Sequence, residues 1–245
     1  MEATREIYWN VGHGVVLPMY LLALAAFGLL AWGVRQRLAH WRQGKALNRF
    51  DRPQERLGRM VAEVLAQTKV ARVREGGLYH ALFFWGFAIL FAGTLLVMLQ
   101  ADLLTPLFEF NLLQGGFYLI FSLVLDLAGA LAILMLAGLF VRRFFIKPAG
   151  LETKPEDLWL HGLLVAILIT GFFIEGARLA ATELVWNPEL ARYSPVGLLV
   201  AKSMAGLSSQ GLATLHVFFW WLHLLLALGF IAALPFTKLR HILYT

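Results

Sequence analysis

Five long stretches of this sequence carry almost no charge, and no other feature narrows the fold so far. Ile7 to Val34 holds no charge-bearing side chain beyond His13, and Gly77 to Ala101 none beyond His80. Phe110 to Val141 has only Asp126, Leu158 to Ala177 only His161 and Glu175, and Ser203 to Thr237 only His216 and His223. A helix that crosses hydrocarbon needs roughly 20 mostly apolar residues. Spans are therefore predicted at 10–34, 78–100, 115–141, 158–180 and 211–235. The fold class that follows is an all-α integral membrane protein, a five-transmembrane-helix bundle forming a single domain over 1–245. The first stretch is too long for a signal peptide and has no small-residue cleavage site.

Composition agrees. Hydrophobic residues make up 60% of the chain, charged residues 15%, and the mean hydropathy is +0.70. Soluble domains hold about 45–50% apolar and about 25% charged residues, so too few charges are present to coat a globule. Disorder and a soluble nucleic-acid binder are excluded. There is no cysteine, which removes disulfides, thiolate-held iron–sulfur clusters, Cys-type zinc sites and thiol nucleophiles. Metal chemistry must come from the seven histidines or from carboxylates.

The net charge of +6 matters through its placement, not as a sign of nucleic-acid affinity. Residues 35–76 hold eleven Lys and Arg, the 142–157 loop adds Arg142, Arg143, Lys147 and Lys154, and the tail adds Lys238 and Arg240. The other side has only Arg5, Arg178, Arg192 and Lys202. By the positive-inside bias the N-terminus is expected outside and the C-terminus in the cytoplasm. Within 35–76, Leu57, Met60, Val61, Val64 and Leu65 recur at helical spacing with charges between them. That pattern fits a surface helix, either a basic segment lying on anionic headgroups or a docking face for a cytoplasmic partner.

The histidines suggest bound haem. An iron held by two imidazoles needs two histidines from different helices at similar depth, facing the bundle interior. Depth groups His80, His161 and His241 at the inner side, and His13, His216 and His223 towards the outer side. His216 and His223 are seven residues apart, on one helix face and about 10 Å from each other, so they cannot ligate one iron from opposite sides. An inner iron then takes His80 with His241 or His161, and an outer iron takes His13 with His216 or His223. His40, in the basic segment, reads as solvated.

The last span and tail run His223-Leu-Leu-Leu-Ala-Leu-Gly-Phe-Ile-Ala-Ala-Leu-Pro235-Phe236-Thr237-Lys238-Leu239-Arg240-His241. This stretch resembles the final helix of the respiratory nitrate reductase gamma subunit, a di-haem b cytochrome, in the eighteen-residue spacing of its ligand histidines and in its Pro-Phe-Ser/Thr-basic-Leu-x-His ending. Gly77-Leu78-Tyr79-His80 resembles that family's inner-ligand position, and the five-span, N-out plan is similar. The resemblance implies two haem b groups, with His80 and His241 on the inner one and His223 on the outer one. The family's second span-two ligand falls here at Leu90, which cannot bind iron. His13, between Gly12 and Gly14, is the substitute candidate, with His216 as an alternative to His223 as its partner.

Phe84-Trp85-Gly86-Phe87, Asp126-Leu127-Ala128-Gly129 and Gly171-Phe172-Phe173-Ile174-Glu175-Gly176-Ala177-Arg178 look closer to one branch of this superfamily. These are the cytochrome b-like membrane parts of heterodisulfide-reductase-related iron–sulfur oxidoreductases. That resemblance implies a cytoplasmic iron–sulfur partner region, on another chain or removed from this one. It also implies a respiratory role in a bacterial or archaeal cytoplasmic membrane with a quinone, menaquinone being the type the family suggests, and it inclines towards quinone reduction. His161 fits neither ligand set and reads as a packing or interface residue, or else a quinone-site residue.

Three intramembrane charges remain. A carboxylate at mid-span is a functional candidate by default. Asp126 could fix a ligand imidazole, relay protons, or hydrogen-bond a neighbouring helix. Glu175 and Arg178, three apart, share a face and could offer a quinone headgroup an acceptor and a donor, or could form an interfacial ion pair contributing little. Phe218, Phe219, Trp220 and Trp221 could line a haem or quinone pocket, or simply anchor the span at an interface. A cofactor-free membrane anchor or transporter is the competing expectation. The lack of a visible inverted repeat weakens its transporter form.

Overall fold

A computed structural model describes residues 4, 7–45, 48 and 50–244, with backbone only at residues 13, 74 and 75. The chain forms helices α1 (His13–Trp41), α2 (Pro53–Met60), α3 (Thr68–Ala71), α4 (Arg74–Leu99), α5 (Thr105–Phe108) and α6 (Gly115–Val141). It continues through α7 (Pro155–Ala181), α8 (Glu183–Trp186), α9 (Pro195–Ser203), α10 (Ser209–Ala233) and α11 (His241–Tyr244). No strand occurs among the described residues.

Five helices are long and apolar enough to cross a membrane: Gly14–Trp41, Gly76–Phe108, Gly115–Ile146, Pro155–Trp186 and Ser209–Ala233. They answer the five predicted spans. α1 runs past its predicted end at 34 by most of two turns, so Arg35 and Arg37 are helical and the basic segment begins inside the helix. The helices are apolar all round. Leu24 is 71% exposed and Leu134 63%, a surface that water would not tolerate at this extent and that hydrocarbon covers.

α4, α6, α7 and α10 make the bundle, and α1 lies outside on α10. The main core gathers Ala132 and Leu136 of α6, Leu160, Leu164, Ile167 and Leu168 of α7, and Phe230 of α10. Phe87 of α4 reaches Phe230 with ring centres 5.5 Å apart, which ties the first bundle helix to the last. At the end away from the basic segment, Gln100 accepts from the Leu113 amide at 2.6 Å. Tyr20 of α1 donates to Asp102 at 2.5 Å. In the basic segment, a π-helical turn at Val61–Leu65 follows α2, and its Glu63 pairs with Lys69 of α3 at 2.5 Å. That hydrogen bond holds the Glu63 carboxyl below its usual range. Leu57, Met60, Val61 and Leu65 of this segment are exposed.

Two features depart from the plan of simple spans and loops. Residues 181–210 do not simply connect two spans. α8 and α9 fold back, and α9 packs on α6 and α7. The contact is close: a Cβ at Gly176 would fall 2.9 Å from Val200 Cβ. The other feature is the end of α10. Its chain turns at Leu234 to Thr237, where Pro235 cannot donate a helical bond, passes through a 3₁₀ turn at Lys238–Arg240 and resumes as α11. Gly33 of α1 sits against that turn, where an added Cβ would lie 2.4 Å from Pro235 Cγ and 2.8 Å from Phe236 Cζ. Gly33→Ala should therefore push α1 off the turn and cost about 1–3 kcal/mol by overpacking. Thermal unfolding in detergent reads this as a lowered midpoint, with Gly28→Ala, which meets nothing within 4 Å, as the control.

Candidate functional site

Polar groups in the bundle fall into two sets, one at the basic end and one in the opposite half. At the basic end the organiser is Asp157, 4% exposed, in the first turn of α7. Its carboxylate accepts from the Lys154 amide at 2.8 Å, which caps its own helix. It also takes Lys238 Nζ at 2.6 Å and Arg143 at 3.0 Å. Glu156 accepts from the Lys238 amide at 2.8 Å. α7 thus grips the turn after α10 by backbone and side chain together, which sets where His241 begins.

His241 Nδ1 lies 2.8 Å from the Lys238 carbonyl. A carbonyl can only accept, so Nδ1 carries the proton and Nε2 keeps its lone pair. Its ring stands 6.2 Å, centre to centre, from the ring of His80 on α4, at an angle of 49°. The Nδ1 of His80 is shut off from solvent and has no protein partner. Of the three inner candidates, the structure brings His80 and His241 together. His161 instead stands edge-on to Phe144 at 5.7 Å and close to Phe140, with Nδ1 donating to the Asp157 carbonyl at 2.7 Å. His40 is exposed and donates from Nδ1 to Gln36.

His223 sits half-way down α10. Its Nδ1 is 3.0 Å from Thr170 Oγ1 on α7. That hydroxyl also lies 2.6 Å from the Ala166 carbonyl and 3.1 Å from that of Ile167. The hydroxyl proton goes to a carbonyl, so Oγ1 accepts from His223 and again Nε2 keeps its lone pair. Leu90 packs into the main core and approaches Gly129, beside which Phe172 also stands.

His216 is 3% exposed and meets Trp9 edge-on at 4.7 Å. Asn10 donates to the Ala213 carbonyl at 2.7 Å. These contacts hold the start of α1 beside the start of α10, so the His13 backbone lies in the same region as His216. The His13 side chain lies outside the described residues. Phe219 stacks on Phe173 at 4.6 Å, Phe218 is exposed, and Trp220 and Trp221 meet edge-on.

The second set gathers around α8 and α9. Asp126, 2% exposed, accepts from the Val196 amide at 3.0 Å and the Gly197 amide at 2.7 Å. It caps the N-terminus of α9, where a negative charge is favoured. Asp126 thus bonds a neighbouring helix. Glu175 accepts from Ser194 Oγ at 2.8 Å and flanks Gly197. Arg178, 6% exposed, pairs closely with Glu183, which also accepts from Tyr118 at 3.0 Å and from Thr182. Glu183 lies outside every predicted span and no sequence motif singled it out. It is the buried counter-charge that Arg178 requires, because a buried cation without one is very costly. The sequence signal that could reveal α9 is the Ser194-Pro195 helix start with the apolar run after it.

Asp126→Ala should strand two buried amides, each costing about 1–3 kcal/mol, and loosen α9. Hydrogen exchange checks this: amides 196–200 should lose protection while α10 keeps its own.

No protein-family profile and no solved structure matches this chain. It is 34% identical over 231 residues to an EtfAB:quinone oxidoreductase of Syntrophomonas wolfei subsp. wolfei, covering 91% of this chain and 32% of that protein. It is 26% identical over 231 residues to a probable iron-sulfur-binding oxidoreductase, FadF, of Bacillus subtilis, covering 92% of this chain and 31% of the relative. The chain thus spans about a third of the length of these relatives, both of which are named as oxidoreductases.

Proposed function

We propose that this chain is the membrane electron-transfer part of a quinone-linked oxidoreductase. In this reading it is a di-haem b cytochrome that carries electrons between a cytoplasmic iron–sulfur partner and the membrane quinone pool, in the direction of quinone reduction. One observation carries it: His80 and His241 come from different elements and stand with ring centres 6.2 Å apart. Two imidazole nitrogens each about 2 Å from one metal bring the ring centres to roughly that distance. The proton on His241 Nδ1 leaves Nε2 as the ligand atom, and the buried, unpartnered Nδ1 of His80 is the kind of polar atom an absent group leaves behind. These residues fit the group. Among the described residues no cluster of three or more metal-type ligands occurs, so a two-imidazole site is the form a metal centre would take here.

When bound, haem supplies one-electron chemistry at a potential set by its ligands, their hydrogen bonds and burial. The chain's own part is orientation. Asp157 fixes the turn before His241, and the Lys238 carbonyl fixes its tautomer, as outer partners of ligand histidines do. Thr170 does the same for His223, which would hold the outer haem together with His13, with His216 replacing His223 in the alternative pairing.

Of the three charged candidates in the other half, Asp126 and Arg178 are buried and committed to α9 and Glu183, while Glu175 is partly open. Glu175 is the group that would meet a quinone headgroup, menaquinone being the expected type. Arg178 and Asp126 would hold its surroundings. The positive-inside bias supports the basic end as cytoplasmic, which puts residues 35–76 where an iron–sulfur partner docks. The names of the two relatives, one with a quinone and one with iron–sulfur, support both ends of this path.

Haem per polypeptide, by pyridine haemochrome on detergent-purified protein, tests the reading. The parent should hold two, His80→Ala and His241→Ala should each lose the inner one, and His13→Ala the outer one. A colourless parent would overturn the proposal and leave a cofactor-free anchor or transporter. Thr170→Val should weaken haem retention at His223 about 10–100-fold, and Thr170→Ser should keep it.

A further inference from the structure

At the basic end, α1 and the C-terminal turn frame an open cleft of about 450 Å³ beside His241, and the function proposed above gives no role to its Arg37 and Arg240. Its walls are Arg37 and Trp41 from α1, and Lys238, Arg240, His241 and Tyr244 from the chain after α10. Lys238 is neutralised by Asp157. Arg37 and Arg240 have no ion-pair partner among the described residues. The hydroxyl of Tyr244 is shut off from solvent with no hydrogen-bond partner, and its ring meets Trp41 edge-on at 5.1 Å. Two unmatched guanidinium groups therefore line one cleft, beside the Trp41 and Tyr244 rings.

The cleft lies where α1 changes from apolar to charged, at Val34-Arg35-Gln36-Arg37. Trp41, 56% exposed, marks the same level, as aromatic rings do at headgroup depth. Guanidinium forks match the paired oxygens of phosphate and carboxylate, and basic pockets between membrane helices take anionic headgroups.

We infer that this cleft is a binding site for an oxyanion, held by the Arg37 and Arg240 guanidinium groups. The same chemistry has two sources at this place. One is the phosphate of an anionic phospholipid entering from the bilayer. The other is the carboxylate edge of a porphyrin, should one be held by the adjacent His80 and His241.

The test compares the parent with an Arg37→Gln/Arg240→Gln variant, an Arg37→Lys/Arg240→Lys variant, and Arg35→Gln/Arg42→Gln as the equal-charge control. Each is equilibrated with phosphatidylglycerol or phosphatidylcholine in detergent, and bound lipid is counted by native mass spectrometry. The parent and control should retain phosphatidylglycerol over phosphatidylcholine. The Gln variant should lose about tenfold or more in that retention, the scale of one or two charge-assisted hydrogen bonds, and the Lys variant should fall between. His80→Ala should keep the lipid, so this result stands whether or not the histidine pair holds haem. Unchanged lipid retention with a loss of bound-haem absorbance in the Gln variant would assign the oxyanion to the porphyrin. Unchanged lipid retention and unchanged absorbance would overturn the site.

Discussion

Backbone amides and carbonyls find no water in hydrocarbon, and each one left unpaired costs several kcal/mol. The arrangement of this chain follows from that cost. The five long helices satisfy their own backbones, so their outward faces can be leucine and phenylalanine throughout. Trouble arises only where the chain stops being helical near bundle depth. At those places the structure spends buried carboxylates, Asp126 on the amides that open α9 and Asp157 on the start of α7 and the turn after α10, with the partly exposed Glu156 beside it.

The same groups position chemistry. The Asp157 carboxylate does not bond His241, yet by holding Lys238 it decides where His241 emerges, and so whether that ring can face His80. Pro235 and Gly33 act in the same direction. The proline ends α10, and the glycine lets α1 close over the turn. Thr170 turns a lone histidine on a helix into an oriented one, because its hydroxyl proton is already taken by a carbonyl of its own helix. In each case a satisfied polar group in low dielectric fixes a neighbour more firmly than it would in water.

The opposite half follows a different logic. Arg178 and Glu183 are both buried and answer each other, with Tyr118 and Thr182 filling the remaining oxygen sites of Glu183. Such a pair contributes little net stability against desolvation, but removing either member leaves a charge unmatched inside the membrane. α8 brings Glu183 back over α7, and α9 covers Asp126 and Glu175. The polar interior of this half therefore depends on a short connection between two spans.

The sequence by itself determined the number of crossing helices, their rough limits, the basic end, and which histidines were available at each depth. Those properties depend on hydropathy and spacing along one chain, which the bilayer reads directly. His80 with His241 was legible as one of two inner pairings from depth alone. Choosing it over His161 needed the break at Pro235 and the clamp on Lys238, which swing His241 out of the axis of α10. Glu183 as the partner of Arg178, the capping of α9 by Asp126, and the hold of Thr170 on His223 were decided only in the tertiary structure. Each joins residues from separate helices, and the pairing of buried polar groups depends on which faces meet across the bundle, a quantity that no single helix period encodes.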